Sequence, residues 1–114
     1  MTPHEIKTEI LGRLTAQIKL HRVILFGSYA RGIPDVDSDI DLLVVIDDDL
    51  MPATFEENMQ NYHKVATALR DIKRIIPMDL IVHTKPMHEK FLQLGSMFSR
   101  MIMEKVEVLY EKDN

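Results

Sequence analysis

Ile6, Ile10, Leu11, Leu14 and Ile18 recur at the spacing of one helix face on an otherwise polar rod. Ahead of them, Thr2-Pro3-His4-Glu5 reads as a helix start: Thr2 can cap, Pro3 suits the first turn, and Glu5 stands where a capping-box acid belongs. The pattern predicts a first helix from about Pro3 to Leu20. Gly12 inside it costs about 1 kcal/mol against Ala and is read as a point of close packing. The period then shortens. Arg22 to Phe26 is almost wholly apolar and β-branched-rich, as a strand buried on both faces is. After Gly27-Ser28, Tyr29-Ala30-Arg31 can make one helical turn closed by Gly32, and residues 33–38, with Pro34, form a loop. Asp39 to Ile46 is a second strand, with Asp39, Asp41, Leu43 and Val45 on one face and Ile40, Leu42, Val44 and Ile46 on the other.

Asp47-Asp48-Asp49 and Met51-Pro52 form an acidic loop, better read as solvated charge and helix-start electrostatics than as a metal site. Phe55, Met59, Tyr62, Val65, Leu69, Ile72 and Ile76 alternate threes and fours, predicting a long helix from about Thr54 to Ile75, stopped by Pro77. Met78 to His83 is a third strand with Asp79 near its start. Lys85-Pro86 turns the chain into a last helix, about Met87 to Glu104, with Phe91, Leu94, Phe98 and Ile102 on its apolar side. Val106 to Tyr110 is short and alternating, an edge strand.

This order implies an α/β fold, a two-layer arrangement of a small sheet packed against helices, in one domain over residues 1–114. The long helix between the second and third strands makes a right-handed parallel crossover the default, with a mixed sheet equally open. Composition narrows the chemistry. The net charge of -4 speaks against non-specific nucleic-acid binding. The chain has no cysteine, which excludes disulfides and thiolate metal sites. No apolar run approaches the ~20 residues of a membrane span, and no signal peptide is visible, so a cytoplasmic protein without membrane contact is expected.

The acids on the second strand fit poorly into a core. Asp39 and Asp41 share a face by the pleat alone, and Asp79 joins them if its strand pairs alongside. Carboxylates ~4 Å apart repel by about 4 kcal/mol at an effective dielectric of 20, so such a cluster either holds protons or takes divalent cations. An all-oxygen, acid-rich site suits Mg²⁺, which completes its shell with water and phosphate oxygens. Gly27 allows close backbone approach to a phosphate, Ser28 adds a hydroxyl and free N–H groups, and Arg31 adds a charge-assisted contact. Phosphate cradle and metal carboxylates together point to phosphoryl or nucleotidyl transfer by two metal ions.

Gly27-Ser28, ten residues, then Asp39-x-Asp41 resembles the signature of the polymerase-beta-type nucleotidyltransferases. Gly27-Ser28-Tyr29-Ala30-Arg31-Gly32 with Ser38-Asp39-Ile40-Asp41-Leu42 is similar to their minimal nucleotidyltransferase (MNT) branch. The likeness extends over nearly the whole chain, through Met78-Asp79-Leu80-Ile81-Val82 to Val106–Tyr110. It implies the nucleotidyltransferase fold with a small mixed sheet, and an ATP-dependent enzyme in which Asp39, Asp41 and Asp79 hold two Mg²⁺ ions and carry catalysis. Gly27 and Ser28 then bind the nucleotide's phosphates. It further implies an antitoxin that transfers AMP to a tyrosine of a HEPN-type ribonuclease toxin from the adjacent gene, with a homo- or hetero-oligomer left open and no direct nucleic-acid contact.

Two alternatives stand beside this. One is a small-molecule nucleotidyltransferase acting on an aminoglycoside-like hydroxyl, for which Asp47-Asp48-Asp49 is the only support. The other is a non-catalytic antitoxin acting by binding alone, which has no use for costly clustered acids. Among single residues, His83 can share the Asp79 face, although a solvent-facing strand end is the preferred reading. His4, His21, His63 and His88 show no ligand spacing. Tyr29 is read as ordinary packing, and Met97, Met101 and Met103 with Phe98 as core rather than partner surface.

Overall fold

The computed structural model describes residues 1–32, 34 and 38–112; most of the loop expected over 33–38 and the side chain of Phe98 lie outside the described residues. The chain runs α1 (Pro3–Gln17), β1 (Leu20–Phe26), α2 (Gly27–Ala30), β2 (Ile40–Ile46), α3 (Phe55–Ala68), α4 (Arg70–Ile75), β3 (Met78–His83), α5 (Lys85–Leu94), α6 (Met97–Glu104) and β4 (Glu107–Glu111). The strands form one sheet in the order β3-β2-β1-β4. β1 is antiparallel to β2 and β4, while β2 and β3 are parallel. The sheet is therefore mixed, and α3 and α4 make the crossover that parallel pairing demands.

α1 starts as its sequence predicts: Thr2 Oγ1 accepts from the Glu5 amide at 3.1 Å and donates to the Glu5 carboxylate at 3.1 Å. It ends at Gln17, three residues earlier than expected, because Ile18 is already extended. Ile6, Ile10 and Leu14 pack against Val23 and Leu25 of β1, Ile40, Leu42 and Val44 of β2, and Val65, Leu69 and Ile72 of the crossover. This core occupies one face of the sheet, the face assigned to Ile40, Leu42, Val44 and Ile46 by alternation. The Arg13–Asp71 pair at 2.8 Å ties α1 to α4. Gly12 is not a packing point: a Cβ there would meet nothing within 4 Å.

Two helices expected to be continuous are each broken. Leu69 leaves helical geometry (φ -101°, ψ 7°), separating α3 from α4 so that Val65, Leu69 and Ile72 all reach the core. At the other break, Gly95 takes the left-handed conformation (φ 54°) that closes α5. Ser96 then caps α6 by accepting from the Ser99 amide at 3.1 Å. Lys85 and Pro86 are not a turn but the first residues of α5, a position that suits proline. Phe55 and Leu94, placed by spacing on apolar stripes, are exposed, and so are Met97 and Met101, which the sequence reading took as core.

The second face of the sheet carries Asp41, Leu43 and Val45 from β2. It carries Asp79, Ile81 and His83 from β3, and Ile24 and Phe26 from β1. α5 packs on β2 and β3 here, and Ile24, Leu43 and Val45 are fully buried. No helix among the described residues is long and apolar enough to cross a membrane.

Candidate active site

β1, β2 and β3 bring three functional positions to one end of the second face. Phe26, the last residue of β1, pairs with Asp41, and Asp41 pairs in turn with Asp79 on the parallel neighbour. The register is held at this end by the Ile40 amide donating to the Pro77 carbonyl at 2.9 Å. Asp79, whose place could not be read from periodicity, thus stands directly beside Asp41. Asp39 sits exposed one residue ahead of β2. Ser28 is half-buried, Arg31 exposed, and Tyr29 buried in the core, as packing predicts.

Gly27 explains how so polar an end is built. Its φ is 72°, and a Cβ on it would overlap Asp41 Oδ2 and lie 3.0 Å from Asp41 Cγ. Only glycine lets the β1–α2 turn close against the carboxylate. That closure half-buries Asp41, and this burial with the neighbouring charge and hydrogen bond of Asp79 and the charge of Asp39 pushes its carboxyl up to about 6, Arg31 opposing. The site therefore carries an excess of negative charge that a cation would relieve. Its donors are all carboxylate oxygens, the set that suits Mg²⁺. As the side chains lie, the described residues contain no group of three acids or imidazoles that closes around one ion. The Asp41–Asp79 pair is the nucleus of the cluster, and Asp39 flanks it.

At the far end of the same face the expectation for His83 needs correcting. It does not face solvent: Nδ1 lies 3.5 Å from Nδ1 of His88, and its ring is 5.2 Å from that of Phe91. Burial lowers the His83 pKa, and burial with the charges of His83, Arg22 and His21 brings His88 down to about 4. His88 Nε2 is buried without a partner among the described residues. No spacing rule reveals this pair, because one imidazole comes from β3 and the other from α5.

The acidic loop also resolves. Asp47 is bound by Lys85 at 3.0 Å and Lys112 at 2.6 Å, and Asp49 by Lys85 at 2.8 Å. Those cations hold Asp47 down at about 2. The loop follows the opposite end of β2, about 20 Å of strand from Asp41, and serves to tie α5 and the C-terminal segment to the sheet.

A glycine-backed pair of carboxylates at the end of a small mixed sheet agrees with the nucleotidyltransferase resemblance seen in the sequence. The Polymerase beta, Nucleotidyltransferase family matches residues 8–114, and the chain belongs to that family. A protein of Methanocaldococcus jannaschii with the provisional name protein adenylyltransferase is 39% identical over 74 residues, 65% of this chain and 70% of that one. A toxin–antitoxin crystal structure with AMP-PNP aligns with a TM-score of 0.60 at 22% identity, over 94% of this chain and 74% of the other. A mutant MntA–HpeT toxin–antitoxin aligns at 0.59 with 20% identity, over the same shares. These two likenesses bear on the fold, which matches along nearly all of the chain.

Proposed function

We propose that the chain is a single-domain, cytoplasmic, Mg²⁺-dependent adenylyltransferase that moves AMP from ATP to a hydroxyl of a partner protein. The partner is a HEPN-type toxin encoded by the adjacent gene, and the acceptor a tyrosine. The observation that carries the reading is the half-buried Asp41, held in register with Asp79 and backed by Gly27. A fold keeps such a destabilising pair where its charge is used.

Asp41 and Asp79 are the inner ligands, and Asp39, free to turn from solvent, completes the set. The three acids repel one another, and a shared divalent cation would reverse that sign. Mg²⁺ held there supplies Lewis acidity that lowers the acceptor hydroxyl's pKa and offsets charge at the reacting phosphorus. Gly27 and Ser28 receive the phosphates, and Arg31 balances charge as pyrophosphate leaves. The relative from Methanocaldococcus jannaschii, by its name, and the toxin–antitoxin structures, by theirs, support a protein acceptor and a toxin partner.

Neither rival gains from the structure. In the acidic loop that would recruit a cationic drug, Asp47 and Asp49 are already paired with Lys85 and Lys112, at the opposite end of β2 from Asp41. A pure binder gains nothing from the Asp41–Asp79 pair. The test is to incubate the protein with the adjacent gene's product, Mg²⁺ and labelled ATP, and to look for one added AMP by intact mass. Labelling is expected to vanish with chelator and with Asp39→Ala/Asp41→Ala. Neutralisation of the toxin by that double variant without labelling would replace this reading with binding alone.

A further inference from the structure

The net charge of -4 conceals a segregation. Residues 60–76 hold four cations, Lys64, Arg70, Lys73 and Arg74, against the single acid Asp71, a local charge of +3 that leaves the rest of the chain at -7. That acid is already engaged, since its carboxylate accepts from Arg13 of α1 at 2.8 Å. Among the described residues none of the four cations is in an ion pair, and Lys73 Nζ lies instead 5.9 Å from the centre of the Tyr62 ring. The four stand on the outer side of α3 and α4, whose inner residues Val65, Leu69 and Ile72 fill the core on the first face of the sheet. Asp41 and Asp79 belong to the second face, so this surface lies outside the candidate active site.

The step at Leu69 shapes the surface. Ala66 and Thr67 of α3 and Arg70, Lys73 and Arg74 of α4 line an open concavity of about 340 Å³ that spans it. Thr67, Arg70 and Arg74 are exposed and Lys73 is half-buried. Helix electrostatics account for only part of this pattern. Lys73 and Arg74, in the last turn of α4, suit its negative end, but Arg70 is the first residue and stands at the positive end. Arg70 also makes like-charge pairs with Lys73 and Arg74 at i, i+3 and i, i+4, which weaken a helix. Such neighbours lie about 5–6 Å apart, close to the spacing of successive phosphates along a nucleic-acid strand. Two guanidinium forks, an ammonium and the Thr67 hydroxyl are donors that phosphodiester oxygens take. No aromatic or large apolar side chain lines the concavity, so it offers no anchor for the core of a protein–protein contact.

We propose that the α3–α4 face binds the phosphate backbone of a nucleic acid, with Arg70, Lys73 and Arg74 around the concavity and Lys64, one turn back along α3, as four phosphate contacts. Contacts to phosphates carry no sequence information, so binding is indifferent to base order. The acidic remainder of the chain repels the strand and confines it to this face. The activity is independent of the transferase reading, because it uses the opposite side of the sheet.

The test is fluorescence anisotropy of a short labelled single-stranded RNA of mixed sequence, and of a short DNA duplex, between about 50 and 200 mM salt, without Mg²⁺ or ATP. For the RNA, log K against log salt should fall with a slope of about -3, from about -0.7 for each of four contacts. The duplex should give about -0.9 for each. Arg70→Gln/Arg74→Gln should halve either slope and weaken binding by about tenfold or more at the low-salt end. Arg70→Lys/Arg74→Lys keeps the charge and should keep the slope. Lys90→Gln/Arg100→Gln, which removes the same charge from exposed positions on α5 and α6, should leave affinity and slope unchanged. Thermal unfolding, measured in parallel, verifies that each variant is folded. Absence of salt-dependent binding to both nucleic acids overturns the proposal, and so does an equal loss in the α5–α6 variant. Displacement of the RNA by poly-glutamate at an equal concentration of charge also overturns it, since the face then fits an acidic protein. None of these outcomes touches the transferase reading.

Discussion

Asp79 and His83 lie on the same face of the same strand, about 13 Å apart, and the fold treats them in opposite ways. At the histidine end, α5 closes over the sheet and burial is met by neutrality: His88 stacks on Phe91, His83 meets it at a tilt, and burial favours the neutral form of both imidazoles. At the aspartate end Asp39 and Asp79 stay exposed among the described residues. The glycine turn presses on Asp41 instead, and the carboxyl is raised by burial and by its acidic neighbours more than Arg31 lowers it. One end is resolved within the chain; on the proposed reading, a bound cation resolves the other. That asymmetry, rather than the mere count of acids, is what the proposed function draws on.

The largest effect comes from removing the unresolved charge. Asp41→Asn keeps shape and should lower AMP transfer by on the order of 10³-fold, the scale on which loss of a transition-state charge contact acts. The same variant should unfold at higher temperature than the wild type near pH 7. Solvent screening holds the gain to about 1–2 kcal/mol. Mg²⁺ should raise the melting temperature of the wild type and much less that of Asp41→Asn. A variant that loses activity and stability together would mean that Asp41 is structural.

Gly27→Ala attacks the same end from the backbone. It combines a positive φ with overlap on the Asp41 carboxylate and should cost about 2–3 kcal/mol, read by urea unfolding. Pairing it with Asp41→Ala should recover the part due to overlap but not the part due to φ, so the double-mutant cycle separates the two.

Acid titration compares the two ends directly. The Asp41 carboxyl is raised to about 6 in the fold. The unfolded chain therefore ionises first, and this group's contribution to stability falls as pH rises from about 4 to 6. His88 is lowered to about 4. The unfolded chain takes that proton first, so its contribution falls as pH drops from about 6.5 to 4, by about 2–3 kcal/mol in all. The two slopes oppose each other and largely cancel in the wild type. Asp41→Asn should expose a steady loss of stability below about pH 6.5, and His88→Leu a gain between about pH 6 and 4. Denaturant midpoints across this window check both; parallel curves for the two variants would sink the comparison. Asp47, held at about 2 by Lys112 and Lys85, acts below this range.

How much of this the sequence discloses depends on whether one element or two must be known. The two faces of β2, the Thr2 cap and the Gly27-Ser28 to Asp39-x-Asp41 spacing are local, and all are visible in the residues. Asp79 is invisible as a partner of Asp41 because a parallel register is set by the whole crossover, not by its own strand. The His83–His88 contact is hidden for the same reason. The breaks at Leu69 and Gly95-Ser96 differ from each other. Gly-Ser is a legible stop and restart, overridden in the reading by apolar spacing that continues through it. Leu69 carries no breaker at all, and only packing against α1 reveals why the helix steps there.

The smallest effect supplies the control. Gly12 lies on α1, on the face of the sheet away from both ends, with open space where a Cβ would go. Gly12→Ala should therefore stabilise the protein by about 0.5–1 kcal/mol through backbone entropy and helix propensity alone. Because Ala adds no charge and touches neither carboxylate nor imidazole, the gain should be the same at every pH between about 4 and 7. Transfer activity should stay at the wild-type level. A uniform shift would confirm that the pH slopes belong to the two ends of the second face. A shift that varied with pH would mean that the titrating groups respond to global stability, and the assignment of each slope to one residue would fail.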